Sequence, residues 1–231
     1  MAGSSRAMLV DTVYDALKER IMDQAVPPGS RLTIEVLAGD LQVSPTPVRE
    51  ALARLAAERL VTFEPFKGYA TMPLLTQQQL ADLLHVRRLV EMDAARLAAG
   101  RAIIADIRAM EVELKAMQSL RPAPRYRQFR TYVQHDERFH KCLVKASGNP
   151  YLLDTFEGLH VHAQLARLVH EFGEFDNREN AVEHKAILEA VRDGDAQTAA
   201  DTVRAHLDRY EWQLGEFIEK SAARGKPARR S

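Results

Sequence analysis

Ser44-Pro45-Thr46-Pro47-Val48-Arg49-Glu50-Ala51-Leu52 is the stretch whose reading decides the fold. Ser44 suits a helix N-cap, and both prolines fall in the first turn, where a missing N–H has no intrahelical partner to lose. Because Pro47 cannot donate, the Ser44 hydroxyl is expected to cap Thr46. Val48, Ala51, Leu52 and Leu55 then recur at steps of three and four and form one buried face. Thr46, Arg49 and Ala53 are left outward, near the N-terminal end. A helix that presents a short polar residue and an arginine from its exposed first turns can lie in a DNA major groove, where arginine pairs bidentately with guanine or holds a phosphate.

The flanks supply the rest of a DNA-binding unit. Val10, Val13, Tyr14, Leu17 and Ile21 keep helical spacing, and the pattern stops before Pro27-Pro28-Gly29. Thr33 is expected to cap a short second helix through Ile34, Leu37, Ala38 and Leu41, and Gln42-Val43 turns into the opening stretch, which makes a helix-turn-helix. Leu60-Val61-Thr62-Phe63 and Tyr69-Ala70-Thr71-Met72 are β-rich runs around Glu64-Pro65-Phe66-Lys67-Gly68, read as a hairpin, the wing.

From Thr76 onward the pattern is wholly helical. Thr76-Gln77-Gln78-Gln79 is a capping box that opens a helix through Leu80, Leu83, Leu84, Val90 and Leu97, ending at Gly100. Further helices are expected over Ile103 to Leu120, about Tyr126 to Ala146, Tyr151 to about Glu171, after Asp176-Asn177 to Asp193-Gly194, and from the Asp195 cap to about Ile218. Arg121-Pro122-Ala123-Pro124 reads as a linker. The expected fold class is mainly α: a winged helix-turn-helix over residues 1–74, an all-α bundle of about six helices over 75–220, and a basic, disordered tail over 221–231. Trp212 and the phenylalanines are expected in the core.

Lys plus Arg equals Asp plus Glu at 32 each, and residues 1–74 hold nine acids against eight bases, so no global basic field announces a nucleic-acid partner. Where the bases sit matters more than their sum. The single cysteine, Cys142, excludes an intrachain disulfide and a thiolate metal cluster, and reads as a small hydrophobe. No apolar run approaches a membrane span, and Met1 to Leu9 lacks the apolar centre of a signal peptide; a cytoplasmic location is expected.

Polar residues interrupt the inward stripes of the helical region. Phe129, Val133, Leu143 and Val144 mark the inward stripe of the Tyr126–Ala146 helix, and Asp136 and His140 lie on it one turn apart. His184 shares a face with Ala181, Leu188 and Val191, and His206 sits between Val203 and Tyr210. Burying such groups unpaired costs several kcal/mol. Asp136, His140, His184 and His206 form a nitrogen–oxygen set suited to Zn, Ni, Mn or Fe. Spacing alone equally allows a structural Asp–His hydrogen bond and histidines that donate to backbone carbonyls. Either His160 or His162 can line a pocket, and the helix that carries them has no register that chooses between them. His85, His135 and His170 are assigned to the surface or to helix ends.

Two resemblances sharpen these readings. The run from Pro28-Gly29-Ser30-Arg31-Leu32 through Leu37-Ala38, Val43-Ser44 and Thr46-Pro47-Val48-Arg49-Glu50-Ala51-Leu52 to Leu60-Val61 resembles the N-terminal domain of the GntR family of bacterial transcription regulators. The likeness implies operator contacts from Ser44, Thr46, Arg49, Lys67 and Gly68, with Arg31 as a further DNA-binding candidate. That family usually has arginine where this chain has Pro45, and glycine where it has Arg59. Asp136-Glu137-Arg138-Phe139-His140, Ala146-Ser147-Gly148-Asn149, Glu183-His184, Gly194-Asp195 and His206-Leu207 resemble the FCD effector domain of the FadR-type branch. This implies a divalent metal held by Asp136, His140, His184 and His206, a small carboxylate effector, and Arg87 near that effector. The alternative for Arg87 is a surface pairing with Glu91 one turn on.

The function implied is a ligand-responsive, DNA-binding regulator acting as a homodimer on double-stranded operator DNA, and not an enzyme. Two alternatives stand beside it. Three histidines and an aspartate also describe a hydrolytic metal site, for which only Glu183 or Glu137 is near enough to serve as base; and the metal can be purely structural.

Overall fold

A computed structural model describes residues 2–120, 126–172 and 177–224. The linker at Arg121 to Pro124, the residue Asp176, the side chains of Phe129 and His170, and the tail from residue 225 lie outside what it describes.

Helix α1 (Ala2–Met22) buries Val13, Leu17 and Ile21 against α3 (Pro45–Ala57), whose Val48, Ala51, Leu52 and Leu55 are all fully enclosed. Helix α2 (Ile34–Leu41) adds Leu37 and Ala38 to the same core. At the α1–α3 seam, Arg54 lies 4.1 Å over the Tyr14 ring and pairs with Asp11 at 2.6 Å, while Lys18 reaches Glu58 at 2.6 Å. Strands β2 (Val61–Glu64) and β3 (Gly68–Thr71) form the expected hairpin, in register from Val61 opposite Thr71 to Glu64 opposite Gly68.

Local details differ from expectation. Ser44 and Thr33 take the extended backbone of N-caps, but neither side chain makes the capping bond. A third strand, β1 (Arg31–Leu32), pairs with β3 through Arg31 opposite Ala70 and Leu32 opposite Tyr69, giving the order β1-β3-β2. Two residues have no periodicity to read, and only the partner strand defines them. The buried Thr71 hydroxyl accepts from the Ser30 amide at 2.9 Å and donates to the Pro27 carbonyl at 2.7 Å, which fastens the proline-rich loop to the sheet.

The helical region comprises α4 (Gln77–Arg101), α5 (Ile104–Ser119), α6 (Tyr126–Ala146), α7 (Pro150–Leu159), α8 (Val161–Phe172), α9 (Asn177–Arg192) and α10 (Ala196–Arg224). Its first helix has the full capping box: the Gln79 amide donates to the Thr76 hydroxyl at 3.2 Å and the Thr76 amide to the Gln79 side chain at 3.0 Å. Asp195 caps α10 through the amides of Gln197 and Thr198. Helix α4 packs along α10 and α6, and α5 packs on α6 and α9, so that α4, α6, α8, α9 and α10 surround one interior.

The run read as one helix from Tyr151 is two, because His160 takes the left-handed conformation at φ 47° and ends α7; the Gln164 side chain then donates to the exposed Leu159 carbonyl at 2.9 Å. The last helix passes Ile218 and runs to Arg224. Trp212, Phe63 and Phe66 are surface residues rather than core, with Trp212 69% exposed; Phe139 and Phe156 are the buried phenylalanines among the described residues. Cys142 is half-buried against the core, and burial raises its thiol pKa.

The two regions meet at α8. Arg167, almost fully enclosed, donates to the Met72 carbonyl at 2.7 Å, and the Gln24 side chain donates to the Arg167 carbonyl at 3.3 Å. Arg130 of α6 adds an ion pair to Asp15 of α1 at 3.1 Å.

Candidate functional site

Five helices bring titratable side chains to the interior. Helix α6 supplies Asp136 and His140, one turn apart as spacing predicts; α9 supplies His184, α10 His206, α8 His162, and α4 Arg87 and Glu91. The donor atoms of His140, His184 and His206 lie within 4.8 Å of one another, as do those of Asp136, His140 and His162. His184 Nε2 sits 3.0 Å from His140 Nε2 and 3.2 Å from Asp136 Oδ1, and His162 Nε2 is 3.4 Å from Asp136 Oδ2. Phe139 closes one wall, its ring edge-on to His184 with centroids 4.6 Å apart.

Two carboxylates aim the imidazoles. His140 Nδ1 donates to Glu91 Oε2 at 2.6 Å, and His206 Nδ1 donates to Glu183 Oε2 at 2.7 Å. With the outer nitrogens so engaged, the tautomers these partners impose turn the lone pairs of both Nε2 atoms into the cluster. Glu91 is itself held by the Arg87 guanidinium, and Glu183 by Arg209, which also bonds the Asn180 side chain. Asn180 donates in turn to the Tyr132 hydroxyl at 3.2 Å.

The electrostatics match a ligand set. Burial pushes the pKa values of His162 and His206 down to about 3, and lowers that of His140 even though Glu91 opposes it, so all three are neutral near pH 7. Burial resists ionisation of Glu91, but Arg87 and His140 outweigh it and hold the carboxyl well below its usual range. Glu183 follows the same logic, resisted by burial and held down to about 2 by His206 and Arg209. Asp136 is likewise kept ionised, against burial, by His184 and the neighbouring imidazoles. Neutral imidazoles and a carboxylate are the forms that bind a divalent cation. The residues present therefore fit a metal, with one buried nitrogen, His184 Nδ1, left without a hydrogen-bond partner.

Asp136, His140, His184 and His206, singled out from spacing, all reach this interior, in two overlapping groups: His206 with His140 and His184, and Asp136 with His140 and His162. Arg87 does pair with Glu91, but in the interior, where its side chain is 1% exposed, and not at the surface. Of the histidines left open, His162 enters the interior and His160 marks the helix break. His85 is exposed, and His135 is half-buried against Glu113 at 2.6 Å. Glu91 was missed as a site residue, and His162 was left as one of two alternatives. Glu91 had a readable signal: Leu84, Arg87, Glu91, Ala94 and Ala98 share one buried stripe of α4. Of the two carboxylates considered as a hydrolytic base, Glu183 is engaged by His206 and Arg209, and Glu137 is exposed.

The candidate DNA-binding residues form a separate, outward set. Ser44, Thr46 and Arg49 stand exposed at the start of α3, Lys67 at the wing tip and Arg31 on β1. Arg49 lies 4.0 Å from Glu35, and Lys67 pairs with Glu64 at 2.6 Å. Gly68, at φ 84°, occupies backbone space that an L-residue rarely takes. Arg59, at φ 56°, explains the usual family glycine at that position: it makes the left-handed turn from α3 into β2.

Known proteins share both halves. Residues 9–70 match the family described as bacterial regulatory proteins, gntR family, and residues 82–209 match the FCD domain. The Nta operon transcriptional regulator of Aminobacter aminovorans is 31% identical over 83% of this chain and 87% of its own. The HTH-type transcriptional regulator LutR of Bacillus subtilis is 28% identical over 84% of this chain and 95% of its own. The solved structure of E. coli McbR/YncC shares the fold, with a TM-score of 0.68 at 22% identity over 90% of this chain and 97% of that one. No helix among the described residues is long and apolar enough to cross a membrane. An exposed recognition helix with a wing, joined to a helical region that matches the FCD domain over most of its length, makes this chain a member of the gntR family: a DNA-binding transcriptional regulator of the FCD-bearing kind.

Proposed function

We propose that the regulator responds to a small organic acid bound in the helical region at a divalent metal held by Asp136, His140, His184 and His206. The observation that carries this reading is the convergence of three imidazole nitrogens beside an ionised aspartate, with two of the outer nitrogens braced by Glu91 and Glu183. A metal with open positions would supply a Lewis-acidic seat for a carboxylate. Arg87 would add a cation at the edge of that seat; its Nη2 is 3.4 Å from His162 Nε2. The cavity beside the cluster, lined by residues including Tyr132, Asp136, His162, Asn180 and Tyr210, measures about 10 Å³ and holds at most about one water. An organic acid therefore has to open it, and the opening is the conformational signal.

In this reading helix α8 carries that signal: its second residue, His162, lies in the cluster, and five residues on Arg167 holds the Met72 carbonyl at the end of the wing sheet. A ligand that repositions α8 shifts the winged helix only to the extent that it binds the two arrangements unequally. Residues 1–74 would serve as the DNA-binding unit and 75–220 as the sensor, in a dimer that presents two winged helices to two half-sites. Ser44, Thr46 and Arg49 would read the major groove, with Arg31, Lys67 and Gly68 against the backbone.

The test is calorimetric titration of the full-length chain with zinc and with nickel, then a mobility shift on the DNA upstream of its gene with metal and candidate acids. One tight site, lost in His184→Ala, together with acid-dependent DNA affinity, is the expected result. A metal that raises the melting temperature but leaves the effect of acid on DNA binding unchanged would favour a structural ion instead.

A further inference from the structure

The wing ends in a side chain that the fold does not use. Phe66 is 107% exposed and sits at φ 67°, a backbone region unfavourable for a bulky residue. Its aromatic neighbours do not need it, because Phe63 and Tyr69 pack on each other across the hairpin with centroids 4.8 Å apart. Exposed apolar area and positive φ both argue against phenylalanine here on grounds of stability and solubility. An outlier of this kind points to a use outside the folded chain. Pro65 on one side has a restricted φ, Gly68 completes the reversal, and Lys67 beside the ring holds its ammonium 2.6 Å from Glu64, free to exchange that partner for a phosphate.

We propose that Phe66 is a wedge that enters the DNA minor groove next to the major groove read by α3. The hairpin leaves α3 directly, since the Leu60 amide bonds the Leu55 carbonyl at 3.0 Å and the Met72 amide the Leu60 carbonyl at 2.9 Å, so wing and recognition helix move as one body. An apolar ring at such a tip unstacks a base step and kinks the duplex, most easily at a flexible pyrimidine–purine step. The site therefore gains sequence preference where the protein makes no base hydrogen bond. Exposed Pro45 opens α3 with no side-chain donor, and a wedge supplies discrimination that the first turn lacks. The inference rests on DNA binding alone and stands whether or not the helical region holds a metal.

Selection of duplexes from a random pool by the wild-type full-length chain supplies the probe. Enriched sites should carry a TA or CA step at the wing positions, and 2-aminopurine placed at that step should brighten on binding. Phe66→Ala should weaken binding about tenfold and abolish both the step preference and the brightening, by loss of base–aromatic stacking. Phe66→Gly should show the same loss with an unchanged or higher melting temperature, which excludes misfolding as the cause. Unchanged affinity and fluorescence in Phe66→Ala overturn the proposal. So does a pool with no enrichment, or a substitution that instead abolishes self-association in sedimentation, which would make a second copy the partner of the ring.

Discussion

In the N-terminal region the polar residues with candidate roles stand outside the fold: Ser44, Thr46 and Arg49 on the free face of α3, and Lys67 on the wing. In the helical region they stand inside it, with Arg87, Glu91, His140, His184 and His206 almost wholly enclosed. The outward set is solvent-exposed, with Arg49 4.0 Å from Glu35 and Lys67 paired with Glu64 at the surface, so its removal should cost the fold little. Every charge of the inward set is answered by another, as Arg87 is by Glu91 and Glu91 by His140, because an unanswered charge in that interior is prohibitive. The outward residues can thus be altered without rebuilding the domain, whereas the buried groups of the helical region and their supports form one unit.

The largest effect that tests this contrast is Glu91→Ala. It leaves the Arg87 guanidinium buried without its counter-charge and should destabilise the chain by about 3–5 kcal/mol in urea unfolding. Glu91→Gln, which keeps an acceptor for His140, should lose less; a loss under about 1 kcal/mol for the alanine variant would break the comparison.

Acidification reads the same interior without mutation. His162 and His206 titrate at about 3 in the folded chain, against about 6.5 when unfolded. Between those values the unfolded state binds the extra protons. Stability from these groups is therefore intact above about pH 6.5 and falls as pH drops toward 3, by up to about 2.7 kcal/mol per pH unit for the pair. Denaturant midpoints of metal-free protein from pH 7 to pH 5 check this, and a flat profile would contradict it.

On the outward side, Arg49→Ala should change unfolding stability by less than about 0.5 kcal/mol yet lose about 1–3 kcal/mol of specific DNA affinity. Unchanged operator affinity would mean that the reading face is misplaced. Arg59→Gly should have the smallest effect, a gain of up to about 1 kcal/mol in thermal stability, by relieving the left-handed residue at φ 56°.

Legibility followed the same division. The winged helix was readable because each element has its own period or turn chemistry: the α3 stripe, the Pro27-Pro28-Gly29 stop, the two β-rich runs about Gly68. Asp136 and His140 were readable because two polar residues one turn apart broke an apolar stripe. Glu91 was passed over because it was weighed only as a surface partner for Arg87, and Trp212 and Phe66 were placed in the core because size was taken for burial. The break at His160 carries no proline; its backbone is left-handed, and the Gln164 side chain donates to the Leu159 carbonyl across it.

What the sequence determined by itself was the helical character of the C-terminal region, the hairpin, the outward face of α3 and the inward polar residues of three of the five helices, α6, α9 and α10, since these depend on spacing along one element. Only the tertiary structure decided which of His160 and His162 faces the interior, that Arg87 is buried, that Glu91 and Glu183 orient two imidazoles, and that α8 joins the cluster to the wing. Those are distances between separate helices, and no periodicity within one helix encodes the rotation and offset of its neighbour.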